Sequence, residues 1–349
     1  MIRRRMGAIQ LASGSTTAGL SLEAGRDHGP VVEEIRGLIR LHKDGHVERP
    51  PAVPEVPCTW SPVPEVRTGD VVIDSSTGTW ARFYVPTCHQ QGQQLQQQLL
   101  PLLVYFHGGG FCVGSAAWSC YHEFLARLAS HAGCVVMSVN YRLAPEHRLP
   151  ACYEDGLAAV KWARRQLQAG SGWWRARCDL NRVYLGGDSA GAAAAYNVSA
   201  RLCPSASYLR GLVLIQPFFG GEARTGSEKS AVQPPKSALS LATSDCYWRL
   251  ALPAGADRDH PWCNPLGRRS PKLESLGLPP ALVCISEADI LKDRNLEFCR
   301  AMRKAGKTVE HAVYAGVGHG FQVLHNYHAS QARIQEMLTH IKSFLSNYR

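Results

Sequence analysis

Near-continuous apolar runs at residues 102–106, 134–139, 183–185, 212–216 and 282–286 set the rhythm of this chain, and a further strand-like run occupies 309–314. Short unbroken runs of this kind fit strands covered on both faces. Between them lie stretches with helical spacing, at 121–131, 153–168, 190–202 and 294–305; in the first, Phe124, Leu125 and Leu128 share one face. The alternation predicts an α/β fold, a mostly parallel central sheet with helices on both faces. Ahead of it the pattern differs. Lys43-Asp44-Gly45 separates two short apolar-bearing runs, a hairpin signal. Six prolines in 50–64 make an extended connector, and strands resume at 70–74 and 79–85.

Three stretches fall outside the alternation. Residues 1–30 are rich in Gly, Ser, Thr and Ala behind an arginine cluster, and are expected to be disordered, with an organellar transit peptide as the alternative. Residues 89–98, rich in glutamine, read as an exposed loop. Residues 220–280 are too long for an ordinary connection and are read as a lid or cap insertion. The expected organisation is a single domain over 31–349, with 31–64 as an N-terminal extension.

Composition narrows the function classes. Hydrophobic residues make up 45% and charged residues 19%, an ordinary globular balance, and no apolar run is long enough to span a bilayer. The net charge of +10 is spread along the chain, which argues against a nucleic-acid groove. Twelve cysteines without a C-x-x-C pair or a secretory leader read as reduced thiols, so the expected location is the cytoplasm, with the nucleus also open.

The candidate chemistry begins at Gly187-Asp188-Ser189-Ala190-Gly191, which lies between an apolar run and a helical segment. That is the strand, tight turn and helix in which a serine is presented as a nucleophile, and the flanking glycines admit the close backbone approach. A serine hydroxyl needs a base. Among fourteen histidines, His319 stands on the glycine-rich loop Gly316-Val317-Gly318-His319-Gly320 after the last strand-like run. The acid should lie between them, and Asp289 follows the 282–286 run; Glu287 and Asp293 are rivals, Asp293 being placed to cap the helix after it. The order Ser, Asp, His is that of α/β hydrolases. His107-Gly108-Gly109-Gly110 supplies an oxyanion loop, with N–H donors assigned to Gly109, Gly110 and Ala190. A phosphate-cradling loop is the competing reading of three glycines, but the Gly-Lys-Ser/Thr ending is missing. No metal-ligand spacing is visible, and this chemistry needs neither metal nor cofactor. Phe111, Phe218, Tyr247 and Trp248 are candidates for an apolar substrate pocket.

These motifs carry a likeness. With Lys43-Asp44-Gly45-His46-Val47-Glu48-Arg49, Tyr141-Arg142-Leu143-Ala144-Pro145-Glu146 and Asp289-Ile290-Leu291-Lys292-Asp293, the chain resembles plant carboxylesterases of the hormone-sensitive-lipase type, the family that also contains the gibberellin receptors. The resemblance runs from about residue 35 to the C-terminus. Stretches 111–116, 120–128, 136–140 and 214–218 are most similar to the carboxylesterase-fifteen subgroup. It implies an α/β-hydrolase fold and a serine esterase acting on a small-molecule ester; the subgroup implies strigolactone hormones as substrates. The alternatives are a hormone receptor with little turnover, against which the retained His319 argues, and an esterase of general acyl esters and xenobiotics. One departure is that Gly191 is followed by Ala192 and Ala193 where the family has Gly-Asn.

Overall fold

The computed structural model describes residues 28–87, 99–169, 172–202, 206–229, 238–324 and 328–348. Residues 1–27 and the glutamine-rich loop at 89–98 lie outside them. Strands β1 (Val31–Ile35), β2 (Ile39–His42) and β3 (Val47–Glu48) form a small antiparallel sheet. The turn joining β2 to β3 falls where Asp44-Gly45 predicts it, with Gly45 at φ 90°.

The main sheet takes β4 (Val66–Asp74), β5 (Thr79–Pro86), β6 (Leu100–Phe106), β7 (Val135–Asn140), β8 (Cys178–Asp188), β9 (Leu209–Ile215), β10 (Ala281–Ser286) and β11 (Val309–Tyr314) in the order β11-β10-β9-β8-β6-β7-β5-β4. The run from β7 to β11 is parallel, and β5 and β4 are added antiparallel. The helices are α1 (Ser119–Ala132), α2 (Ala151–Ala169), α3 (Ala190–Leu202), α4 (Gly226–Lys229), α5 (Leu241–Ala251), α6 (Lys292–Lys304), α7 (Phe321–Leu324) and α8 (His328–Asn347).

Two cores lie on opposite faces of this sheet. On one, Leu128 of α1 and Met337, Ile341 and Phe344 of α8 cover Leu103, Tyr105, Val136 and Val213. On the other, Val160 of α2, Ala194 and Val198 of α3 and Phe298 of α6 cover Leu102, Val104, Met137 and Leu214. Alternate residues of one strand therefore feed different cores, which is why the runs are apolar throughout. Ala192 and Ala193 are fully buried, so their methyl groups belong to the core.

Two segments are fastened across the top of the sheet. Between β9 and β10, the Arg294 guanidinium of α6 binds both oxygens of buried Glu228 and the carbonyls of Gly220, Gly221 and Ala223. The small N-terminal sheet is tied to α5 by Glu33, which accepts two hydrogen bonds from Arg249. Arg49, just past β3, donates to the carbonyls of Cys112 and Ala144 and pairs with Glu146. Asp293 does not cap its own helix: α6 begins one residue earlier, without a side-chain cap, and the carboxylate accepts the Ser227 N–H of α4 at 2.6 Å. Among the described residues no helix is long and apolar enough to cross a membrane.

Candidate active site

The carboxyl ends of β6, β8, β10 and β11 deliver the glycine loop, Ser189, Asp289 and His319, as parallel sheets do. Ser189 sits between β8 and α3 at φ 53°, a left-handed conformation that costs a side-chain-bearing residue energy and persists because its neighbours impose it. Positions 187 and 191, two residues to either side, must be glycine. A Cβ on Gly191 would land against the Phe106 carbonyl, and one on Gly187 against the backbone of Gly191. The Ala192 and Ala193 N–H groups both point to the Ser189 carbonyl, starting α3 from the turn itself.

Three of the expected residues meet in one line. His319 Nε2 lies 2.9 Å from Ser189 Oγ, and His319 Nδ1 lies 2.7 Å from Asp289 Oδ2. All three are buried. Burial pulls the imidazole toward its neutral form, but the charge of Asp289 and its hydrogen bond outweigh it, and the His319 pKa ends above its ordinary value. Asp289 also accepts the Leu291 N–H, which fixes its carboxylate. The rival Glu287 is turned aside to the Gly316 N–H at 2.9 Å.

The loop after β6 folds back on itself through bonds from the Cys112 and Val113 N–H groups to the Gly109 carbonyl. Gly109 and Gly110 have φ of 111° and 59°. Among the described residues no hydrogen bond leaves the N–H of Gly109, Gly110 or Ala190. His107 sits beneath, stacked on Tyr141 at 4.3 Å, its Nδ1 hydrogen-bonded to the Gly108 carbonyl; burial lowers its pKa to about 4, so it is neutral.

Asp188, which the motif contains but to which sequence reasoning gave no role, ties elbow to loop. Its carboxylate accepts from Tyr105 at 2.8 Å, Tyr121 at 3.0 Å and the Gly108 N–H at 3.1 Å. Burial raises its pKa to about 6, against the opposing pull of these donors. The four aromatic candidates form one cluster. Phe218 and Trp248 stack at 4.5 Å, Tyr247 meets Phe218 edge-on, and Phe111 abuts Trp248. Tyr247 presses its ring against Gly110, leaving no room there for a Cβ. All four are buried. Among the described residues no group of three or more metal-ligating side chains is placed to hold an ion.

The sequence profile of the alpha/beta hydrolase fold family matches residues 103–323. This chain belongs to that family. It is 46% identical over 324 residues to "Probable carboxylesterase 6" of Arabidopsis thaliana, covering 92% of this chain and 93% of that one. It is also 37% identical over 280 residues to gibberellin receptor GID1C of Arabidopsis thaliana, covering 78% and 79%. Among solved structures, an esterase of Pyrobaculum calidifontis superposes with a TM-score of 0.66 at 28% identity over 79% of this chain and 85% of that one. The expected α/β-hydrolase fold and the likeness to plant carboxylesterases both hold, and the carboxylesterase and esterase relatives make this chain a hydrolase of carboxylic esters.

Proposed function

We propose that Ser189, His319 and Asp289 form the catalytic set of a serine carboxylesterase working through an acyl-enzyme. The observation that carries this reading is the unbroken chain from Ser189 Oγ through His319 to Asp289. With Nδ1–H held by Asp289, Nε2 presents a lone pair to the serine hydroxyl. Ser189 Oγ attacks the ester carbonyl as Nε2 takes its proton, and the N–H groups of Gly109, Gly110 and Ala190 receive the charge that develops on the carbonyl oxygen. His319 returns the proton to the leaving alcohol; a water, deprotonated in the same way, then releases the acid. Each donor in such an oxyanion site contributes about 3 kcal/mol in better-characterised hydrolases.

A single-turnover assay with p-nitrophenyl acetate tests the reading: the wild type liberates nitrophenolate and Ser189→Ala does not. Equal rates from the two proteins would overturn it and leave binding alone, as a hormone receptor requires.

The finer reading takes the ester to be a strigolactone. It is supported by the resemblance of 111–116, 120–128, 136–140 and 214–218 to the carboxylesterase-fifteen subgroup and by the aromatic cluster behind the site, which suits a fused-ring lactone. Mass spectrometry of a synthetic strigolactone incubated with the protein should detect the butenolide and tricyclic fragments, formed much faster than with Ser189→Ala. Rapid cleavage of simple acyl esters with the analogue left intact favours the general esterase.

A further inference from the structure

A single stretch of four residues at the end of β9 touches all three arms of the site. The Ile215 carbonyl accepts the Ser189 N–H at 2.8 Å, and the Phe218 N–H donates to the Ser189 carbonyl at 3.0 Å, so the nucleophile's own backbone is clasped from both sides. Between these contacts the Gln216 N–H donates to the Cys284 carbonyl of β10 at 2.8 Å, and Asn295 of α6 donates to the Pro217 carbonyl at 2.8 Å. The Gln216 side chain then reaches across the strand ends. Its Nε2 donates to Ser286 Oγ at 2.6 Å, and its Oε1 accepts the Gly320 N–H at 2.7 Å. Gly320 directly follows His319, and Ser286 opens the loop that carries Asp289.

Two further observations set Gln216 apart from an ordinary buried amide. Its relative exposure is 0%, and its φ is 47°, a conformation that side-chain-bearing residues rarely hold unless their surroundings dictate it. A carboxamide is also the side chain that offers a donor and an acceptor at one height, here matched to a hydroxyl on one strand end and an N–H on a loop.

We propose that Gln216 is a positioning residue for the general base. Its carboxamide fixes the His319 loop, while the backbone on either side of it fixes Ser189. The separation of nucleophile and base is thereby set within one short segment instead of being transmitted through the width of the sheet. This inference rests on the serine esterase reading. Displacements near 1 Å at such a pair cost about a hundredfold in rate, and the loss falls on kcat because substrate binding does not use the Ser–His contact.

The experiment compares steady-state hydrolysis of p-nitrophenyl acetate by the full-length wild type, Gln216→Met and Gln216→Glu, with Ser189→Ala as the blank. Gln216→Met, similar in size but without either hydrogen bond, should lose about ten- to a hundredfold in kcat with KM within about threefold. Gln216→Glu keeps an acceptor for the Gly320 N–H and should recover most of that loss. Its carboxylate, added to those of Asp289 and Asp188 around His319, should move the acid limb of the kcat/KM profile to higher pH. A folded Gln216→Met protein with kcat within about twofold of wild type overturns the proposal. If Gln216→Met does not fold, Gln216→Glu decides alone: an upward shift of the acid limb supports the role, and an unmoved limb overturns it. A wild type without Ser189-dependent turnover removes this inference together with the reading beneath it, whereas normal wild-type turnover with an indifferent Gln216→Met removes this inference only.

Discussion

Two aspartates near Ser189 differ in their surroundings and so in what their loss should do. Among the described residues, the Asp289 carboxylate bonds to the base and to one backbone N–H. Asp289→Asn should lower kcat by about four orders of magnitude, since the asparagine no longer enforces the Nδ1–H tautomer. The acid limb of kcat/KM should also move down in pH, because the charge that raises the His319 pKa is gone. Steady-state kinetics across pH check both. Asp188 holds three donors, of which the Gly108 N–H belongs to the oxyanion loop, and an asparagine there puts an N–H₂ among hydroxyls and an N–H. Asp188→Asn should cost about 1–3 kcal/mol of stability and lower kcat more than it raises KM. The pH dependence has a definite sign. The folded-state pKa of Asp188, about 6, lies above the ordinary 3.8, so its contribution to stability is full below 3.8 and is lost as pH rises through about 6. The gap in melting temperature between wild type and variant should therefore narrow on going from acid to neutral pH.

At the scale of elements, periodicity carried the sheet because the inner parallel strands, such as β6 and β10, are buried on two faces and announce themselves as apolar runs. The 309–314 run, the 190–202 helix and the Asp44-Gly45 turn lie where the pattern puts them. What escaped it has physical causes. Strand β1 exposes Val31 and Val32, so its hydrophobic residues do not mark a buried face, and α8 covers the sheet without any motif to draw attention to it. The line from Ser189 to His319 to Asp289 was legible because each residue stands in a loop of a recognisable kind after a strand. Gln216 was not, since it reads as the polar end of an apolar strand and acquires partners only when β10 and the loop after β11 come alongside. The aromatic residues illustrate the same limit: residue type singled out four of them, and only packing shows that they form one buried cluster with Tyr247 against Gly110. Gly110→Ala should abolish most activity because the new methyl group collides with the Tyr247 ring. Adding Tyr247→Ala should restore part of it, and a double-mutant cycle on kcat/KM measures the coupling.

Across the whole molecule, the N-terminal sheet is joined to the site by unequal contacts. Arg49 serves two main-chain carbonyls, whereas the Glu33–Arg249 pair is largely exposed. Arg49→Ala should lower stability by about 1–3 kcal/mol, largely through the orphaned Cys112 and Ala144 carbonyls. Glu33→Ala should change the melting temperature less, and a larger share of its effect should fade with added salt, since Arg49 loses only its Glu146 pairing to screening and keeps the two carbonyls. Thermal melts at low and high ionic strength distinguish the two.

The order of strands has a consequence of its own. The nucleophile rides on β8, inside the sheet between β6 and β9, while the base follows β11, which among the described residues is an outermost strand paired on one side only. Local openings begin where fewest bonds must break, so the rim can detach while the centre stays intact. Heating should then extinguish turnover at temperatures where circular dichroism still reports a folded chain, with amides 309–320 exchanging hydrogen ahead of those in β8. Inactivation of this kind is reversible on cooling, because the rim has only to dock again.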